Sequence, residues 1–182
     1  NGLDDNDNSN YDGYANLRYT IAVTAVDHKG RQSYYAEPGA NILVASPSNG
    51  DGESITTTDI EGSGGYSSSD YTSTFGGTSS ATPLVSGIIA LMFEANANLT
   101  WRDVQHILVE TSRKNHANDL SWSTNGAGHL VSHKYGYGVI DAGAAVAASV
   151  NWTTSKEEIS FTSGTIQTDL DITDKTGEIG YS

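Results

Sequence analysis

The chain has no cysteine and few basic residues. Without cysteine among its 182 residues, neither a disulfide framework nor a thiolate metal site can form. Nine lysines and arginines stand against 22 aspartates and glutamates, which gives a formal net charge of -13. This acidity argues against nucleic acid or an anionic membrane surface as a partner, and it suits solubility, cations or basic substrates.

Long apolar runs are also missing. The longest run, around residues 87–93, is far shorter than the roughly 20 residues that span a bilayer. No membrane partner is therefore expected for this segment. No signal peptide is visible, but the sequence opens on Asn1 without a methionine. We interpret the chain as part of a longer protein, so the missing signal carries no weight.

The composition is that of a folded chain with a core. Apolar residues make up 36% of it and aromatic residues 9%, which argues against wholesale disorder. Runs rich in β-branched residues predict strands over residues 19–26 and 41–47, with a short strand near 55–60. Around this short strand, from Ser48 to Gly77, the sequence is rich in Gly, Ser and Thr, which is typical of a surface loop.

Three helices are predicted to follow these strands. Apolar residues lie nearly all round the helix expected over residues 79–95, which predicts that it is buried in the core. A second helix is expected to start at Thr100, with Asp103 as its capping-box partner. Asp141 is expected to cap a third, alanine-rich helix. Strands followed by helices indicate an α/β fold.

The character of the sequence changes after Trp152. Residues 153–182 have no helical stripe, and they alternate as β-structure does. We therefore predict two units: a first domain over residues 1–152, and a linker with the start of a β-rich domain over residues 153–182.

Ser79 is the candidate nucleophile, in the segment GGTSSATPLVSGIIALMFEAN. A serine at a helix N-terminus is most often only a cap. Here Gly76 and Gly77 would let the backbone approach a substrate closely, and Pro83 would lie within the first turn or so of the helix. The helix N-terminus also offers N–H groups and a positive dipole beside the hydroxyl, which suits a developing oxyanion.

The segment that follows Gly76 resembles the nucleophile region of subtilisin-like serine proteases, in their kexin/furin (proprotein convertase) branch. G-T-S-x-x-x-P is the general subtilase motif, and EANANLTWRDVQH and HKYGYGVIDAGAA are similar to the convertases. The resemblance implies an incomplete subtilisin-like parallel sheet flanked by helices, followed by the start of a β-rich P domain. It makes Ser79 the nucleophile and Asn1 the side-chain donor of the oxyanion hole. The alternative for Asn1 is an ordinary turn residue.

In subtilases the catalytic Asp and His both precede the nucleophile, and neither motif occurs in these 182 residues. The histidines that do occur are interpreted as structural or solvated; they are His28, His106, His116, His129 and His133. The resemblance therefore implies that an upstream half of the same catalytic domain supplies base and orienting carboxylate. The 182 residues alone are expected to lack peptidase activity.

The same resemblance implies two roles for carboxylates of the acidic loop at the start of the sequence: substrate binding and calcium binding. Asp12, in Tyr11-Asp12-Gly13, corresponds to a buried carboxylate that pairs with the Arg or Lys before the scissile bond. Asp7 and Glu37 fall where the family has ligands of a Ca²⁺ ion, whose third carboxylate would lie upstream. The alternative for this loop is a solvated acidic turn.

The resemblance as a whole implies a secreted, extracellular or periplasmic, calcium-dependent serine endopeptidase. It would cleave protein or peptide substrates after basic residues. The alternative from a different class is a non-catalytic pseudoprotease, or a calcium-binding secreted module that keeps the fold without the chemistry.

Overall fold

Two parallel strands form the centre of the fold. The computed structural model describes residues 7–164. In it, β1 (Ala22–Val26) pairs with β2 (Ile42–Pro47) in parallel register. A hairpin of β3 (Ile55–Thr58) and β4 (Tyr71–Phe75) then leads into α1 (Thr78–Ala95). The α/β prediction and the three predicted strands are confirmed, although β1 begins three residues later than expected.

The rest of the described chain wraps around this pair of strands. The later elements are α2 (Trp101–Thr111), the short hairpin of β5 (Ser123–Thr124) and β6 (Leu130–Val131), and α3 (Ala142–Val150). Two 3-10 turns lie at Ser9–Tyr11 and Gly62–Gly64.

The two faces of the β1–β2 pair bury different partners. Because successive side chains of a strand point to opposite faces, Val44 packs with the three helices while Ala45 packs on the other side. The helical cluster contains Val85 and Met92 of α1, Val104, Ile107 and Leu108 of α2, and Ala145 of α3. On the opposite face, Tyr135 stacks on Trp122, with 5.4 Å between ring centroids.

Both predicted helix caps are confirmed. The Thr100 hydroxyl accepts from the backbone N–H of Asp103, and the Asp103 carboxylate accepts from the N–H of Thr100, which completes a capping box. Asp141 accepts from the N–H of Ala144 at 3.0 Å and starts α3. Such caps satisfy N–H groups that have no partner inside the helix.

The expectation that α1 is buried on all sides is wrong for the part of the chain that the structure describes. Only Ser80, Ala81, Val85 and Met92 of this helix are buried. Leu84, Leu91 and Phe93 are 43%, 49% and 38% exposed. The apolar pattern gave the composition of the helix faces but could not say how many of them are covered within residues 7–164.

By length and composition α1 could also cross a membrane. Its packing favours a core helix, because Val85 and Met92 sit in the cluster with Val44 and the other two helices. Its first turns also carry Thr78, Ser79, Ser80 and Thr82, and such polar side chains are costly in lipid. We therefore treat α1 as a helix of the folded domain.

A buried carboxylate joins α2 to the segment after α3. Asp103 is fully buried. Its Oδ1 accepts from the Trp152 indole N–H at 3.2 Å and from the N–H and hydroxyl of Ser155, both at 2.7 Å. Its Oδ2 accepts from the N–H and hydroxyl of Thr100 at 2.8 and 2.7 Å. The chain thus remains attached to α2 for at least three residues beyond Trp152.

The linker and the start of a β-rich domain predicted over residues 153–182 stay a prediction. Residues 153–164 contain no strand. Ser155 is bonded to Asp103 in the first turn of α2, and Glu158 forms an ion pair with Arg18 at 2.6 Å. The remainder of the predicted second domain, residues 165–182, lies outside the described residues.

The hydrogen bonds of Asp103 predict a pH-dependent contribution to stability. Burial by itself raises the pKa of this carboxyl, but the bonds donated by Ser155 and Thr100 outweigh burial and hold the pKa well below its usual range. A lowered pKa stabilises the fold above the unfolded value of about 3.9, and this stabilisation is lost as the pH falls below it. Asp103→Asn turns an amide N–H toward other hydrogen-bond donors. It should lower the free energy of unfolding by about 1–3 kcal/mol at pH 7.

The measurement is urea unfolding of the protein at pH 7 and pH 3. The difference between the unmodified protein and Asp103→Asn should shrink at pH 3. Glu110→Gln, at an exposed carboxylate of the same helix, is the matched control and should change little. A difference that is equal at both pH values would contradict the role given to the ionised carboxylate.

Candidate active site

Ser79 lies at the start of α1, one residue inside the helix. The N-cap is Gly77, with φ 80° and ψ 172°, and it has no side chain to cap the first N–H groups. The side chain of Ser79 is exposed, whereas that of Ser80 is buried. The alternative that Ser79 is the helix cap does not match this geometry, because the capping position belongs to glycine.

The position of Pro83 differs from the expectation. It is the sixth residue of α1 and lies in the second turn. In an α-helix the N–H of residue 83 would bond to the carbonyl of residue 79, and proline has no N–H. The proline therefore removes the regular helical partner of the Ser79 carbonyl.

A cluster of polar side chains lies beneath the turn that carries Ser79. The N–H of Gly77 donates to Asn49 Oδ1 at 2.7 Å, and the carbonyl of Gly77 accepts from Ser48 Oγ at 2.7 Å. Tyr35 Oη lies 2.7 Å from Asn49 Oδ1 and 2.9 Å from Ser48 Oγ. Ser80 Oγ lies 2.7 Å from Ser48 Oγ. Both backbone polar groups of Gly77 are thus held by residues that follow β2.

A cavity of about 360 Å³ opens beside the same turn. Thr78 and Thr82, which flank Ser79 on α1, form one wall. Other walls come from β1, from the two residues that precede it, and from the loop that holds Asp12. The full lining is Ser9, Asp12, Tyr14, Ala15, Thr20, Ile21, Ala22, Val23, Thr24, Glu37, Ile42, Thr78 and Thr82. The carboxylates of Asp12 and Glu37 therefore line a cavity whose α1 wall is formed by Thr78, next to Ser79, and by Thr82.

The expectation that Asp12 is buried is wrong in the described chain, where its side chain is exposed. The carboxylate closes a local turn: Oδ1 accepts from the N–H groups of Tyr14 at 2.7 Å and Ala15 at 3.0 Å. The bonds from Ala15 and Tyr14 lower the pKa of the Asp12 carboxyl. Asp12 therefore stays ionised into the acid range, as a partner for a cation must be.

The loops of Asp7 and Glu37 are joined to each other. Ser9 donates its N–H to the carbonyl of Pro38 at 3.0 Å and its hydroxyl to the same oxygen at 3.3 Å. Asp7 is exposed and Glu37 half-buried. Within residues 7–164, no cluster of three or more acidic, histidine or cysteine side chains is arranged to hold a metal. Two hard carboxylates on joined loops fit part of a Ca²⁺ site, which needs six to eight oxygens.

Asn1 lies outside the described residues, so its predicted role in the oxyanion hole stays a prediction. Four of the five histidines are exposed in the structure, namely His28, His106, His116 and His133. His129 is half-buried, with Nε2 3.6 Å from a Glu110 oxygen.

The comparisons with known proteins agree with the motif and with this geometry. Residues 1–138 match the subtilase family. The chain belongs to the subtilase family. It is 44% identical to furin of Rattus norvegicus and to furin of Homo sapiens, in each case over 156 residues that cover 85% of the chain. It is 45% identical to human proprotein convertase subtilisin/kexin type 7 over 84% of the chain.

These relatives confirm the kexin/furin-like branch predicted from the sequence. The subtilase chain spans only about a fifth of each relative's length, 19% for both furins and for the type 7 convertase.

Solved structures confirm the subtilisin-like fold. The serine protease of Aeromonas sobria superposes with a TM-score of 0.75 at 26% identity, covering 83% of this chain and 32% of that protein. A protease of Pseudoalteromonas arctica PAMC 21717 gives a TM-score of 0.59 at 29% identity, over 75% of this chain and 38% of that one. Fervidolysin of Fervidobacterium pennivorans shares the fold. It superposes with a TM-score of 0.57 at 20% identity, over 76% of this chain and 20% of that one.

No functional role was predicted from the sequence for Tyr35, Ser48 or Asn49. One signal was present: Ser48 and Asn49 come directly after β2, and sites in parallel sheets gather at the carboxyl ends of strands. Their contact with Gly77 spans 28 or 29 residues of sequence, which no local pattern reveals.

Proposed function

We propose that this chain is the nucleophile-bearing part of a calcium-dependent, subtilisin-like serine endopeptidase that cleaves proteins or peptides after basic residues. The observation that carries the proposal is the exposed Ser79 at an uncapped helix N-terminus, next to Thr78, which lines the same cavity as Asp12. Subtilase membership and the identity to furin support the reaction class.

The chemistry assigned to the site is acyl transfer. The Ser79 hydroxyl attacks the scissile carbonyl, and the N-terminal N–H groups and dipole of α1 face the negative charge that develops on the carbonyl oxygen. Asn1 is proposed as the side-chain donor to this oxyanion. The histidine that takes the Ser79 proton, and its orienting aspartate, would come from an upstream part of the same domain.

Specificity is assigned to Asp12. Its carboxylate is ionised and uses Oδ1 for the local turn. An Arg or Lys side chain in the cavity would cover this carboxylate from water and form a charge-assisted pair with it. The net charge of -13 also favours the approach of cationic substrates.

Calcium binding is assigned to Asp7 and Glu37. The hydrogen bonds between Ser9 and Pro38 bring their loops together, and carboxylate oxygens suit Ca²⁺. The bound ion would fix these two loops beneath the cavity that Asp12 lines. The third carboxylate of the site would come from the upstream half of the domain.

The upstream half of the domain is proposed to cover α1. Leu84, Leu91 and Phe93 are large apolar side chains left exposed on this helix, and covering them would be favourable at about 25 cal/mol per Å².

As in the sequence-based expectation, we propose that the intact protease acts outside the cytoplasm, as a secreted or periplasmic protein.

Ser79→Ala in the intact protease should abolish peptidase activity and leave the fold unchanged. The hydroxyl is exposed and is not the helix cap, so its loss removes no structural contact of the capping kind. Peptide hydrolysis and thermal unfolding check the two parts. Ser86→Ala, at another exposed serine of α1, is the control and should stay active. Full activity of the Ser79 variant would leave only a non-catalytic role for this chain.

Asp12→Asn should lower kcat/KM for Arg or Lys substrates by roughly 10² and change apolar substrates far less. An asparagine oxygen can still accept from Tyr14 and Ala15, so the turn is kept while the charge is lost. The measurement compares kcat/KM for two peptides that differ only in the residue before the scissile bond. Asp5→Asn, in the same loop, should change neither value. Equal losses for both peptides would mean that Asp12 supports the loop and not the specificity.

Glu37→Gln should raise the Ca²⁺ concentration needed to stabilise the protease several-fold, because a charged ligand becomes a neutral one. Thermal unfolding over a range of Ca²⁺ buffered with EGTA measures this. Glu53→Gln removes an exposed carboxylate elsewhere on the surface and should behave as the unmodified protein does. An unchanged Ca²⁺ response in Glu37→Gln would rule out this residue as a ligand.

A further inference from the structure

Gly77, two residues before Ser79, is held through both its N–H and its carbonyl. Gly77 has a positive φ of 80°, and it follows a second glycine at the junction of β4 and α1. Two glycines restrict the backbone very little, because neither has a Cβ. Whatever fixes the direction of Ser79 must therefore come from outside this junction.

We propose that Asn49 is a positioning residue for the Ser79 nucleophile, and that the Tyr35 hydroxyl in turn orients Asn49. The inference rests on the proposed role of Ser79 and adds to it the residues that hold the nucleophile turn in place. The contact that does this is the hydrogen bond from the Gly77 N–H to Asn49 Oδ1, at 2.7 Å.

The Gly77 N–H decides which way the Asn49 amide faces. The Gly77 N–H can only donate, so the atom facing it must be the amide oxygen of Asn49. The Tyr35 hydroxyl lies 2.7 Å from the same oxygen, closer than Ser48 Oγ at 2.9 Å or the Asn49 carbonyl at 3.2 Å, and we assign its proton to this shortest contact. Asn49 Oδ1 thus accepts two hydrogen bonds, one from the backbone of the nucleophile turn and one from a tyrosine of the β1–β2 connection.

The carbonyl of Gly77 is fixed as well. Ser48 Oγ donates to it at 2.7 Å, and the N–H of Ser80 lies 3.1 Å from it. The Ser80 hydroxyl can then donate to Ser48 Oγ, 2.7 Å away. With the N–H and the carbonyl both held, the Gly77 backbone cannot rotate without breaking hydrogen bonds on both sides.

The surroundings make these bonds stiff. Tyr35, Ser48 and Ser80 are buried, and hydrogen bonds between buried polar groups are stronger than those exposed to water. Asn49 also lies against Gly76, where a Cβ would collide with its amide group. The Tyr35 ring packs with Ala25, Ala36 and Ala81, so its hydroxyl is placed by the core.

Loss of this positioning should slow the chemical step more than it weakens substrate binding. A displacement of about 1 Å at a reacting group can cost roughly 10² in rate. Asn49→Ala in the intact protease should therefore lower kcat by roughly 10- to 100-fold with KM nearly unchanged. Tyr35→Phe keeps the ring and removes only the hydroxyl, so it should lower kcat in the same direction by a smaller factor.

The experiment measures kcat and KM per active site, with the sites counted by complete inactivation with phenylmethylsulfonyl fluoride. The second-order rate constant of that inactivation should fall in parallel with kcat, since the reagent reacts with Ser79 without needing a basic side chain. Two variants serve as matched controls and should retain the original values. Ser46 lies on β2, two residues before Ser48. Ser46→Ala removes its buried hydroxyl, for which residues 7–164 provide no hydrogen-bond partner. Tyr34→Phe alters the exposed ring next to Tyr35.

The outcomes separate this inference from the proposed function. If Asn49→Ala and Tyr35→Phe lower the melting temperature but leave kcat per site and the inactivation rate unchanged, the network supports the fold only and the inference is wrong. An active Ser79→Ala variant would overturn the proposed function itself. An inactive Ser79→Ala variant with full kcat in Asn49→Ala would leave the function standing and remove Asn49 from it.

Discussion

The hydrogen bonds between the end of β2 and the Gly77 peptide hold the start of α1 where it is. They join a strand of the sheet to the helix that carries the nucleophile candidate, across a glycine pair with little stiffness of its own. The cavity beside Ser79 depends on the same junction, since Thr78 and Thr82 line it from α1 while β1 lines it from the sheet. Moving this turn would move the hydroxyl, the helix N-terminus and one wall of the cavity together.

Such a junction requires buried polar groups, and the structure satisfies them. The folded protein would lose stability if the buried hydroxyl of Tyr35, Ser48 or Ser80 were left without a hydrogen-bond partner. Here the three hydroxyls find acceptors on Asn49 Oδ1, on Gly77 and on one another, and Ser33 donates to the Asn49 carbonyl at 2.9 Å. An apolar core could pack as tightly, but it would not fix the rotation of a glycine peptide.

A second polar contact of this kind lies at the far side of the helical layer. Asp103 links the first turn of α2 to Trp152 and Ser155, and so fixes the path of the chain as it leaves α3. Between the two, the apolar cluster around Val44, Val85 and Ile107 supplies the burial that holds the helices on the sheet. The polar contacts at Gly77 and at Asp103 thus fix the path of the backbone, while the apolar cluster supplies the buried area that holds the helices on the sheet.

The sequence by itself determined the features that depend on neighbours within a few residues. The capping box of Thr100 and Asp103, the start of α3 at Asp141 and the strands of β-branched residues all follow from contacts inside one turn or one strand. The G-T-S-x-x-x-P motif likewise marked Ser79, and it predicted the family that the comparisons confirm. Asn1 stays a prediction, because it lies outside residues 7–164.

Only the tertiary structure decided the features that join distant residues. Local pattern could not show that Asp12 is exposed, that α1 keeps an uncovered apolar face within residues 7–164, or that Glu158 pairs with Arg18. Nor could it show that Asn49 meets Gly77 across 28 residues and Asp103 meets Ser155 across 52. The physical reason is that burial and hydrogen-bond partnership are properties of a residue's spatial neighbours, and folding chooses those neighbours from the whole chain.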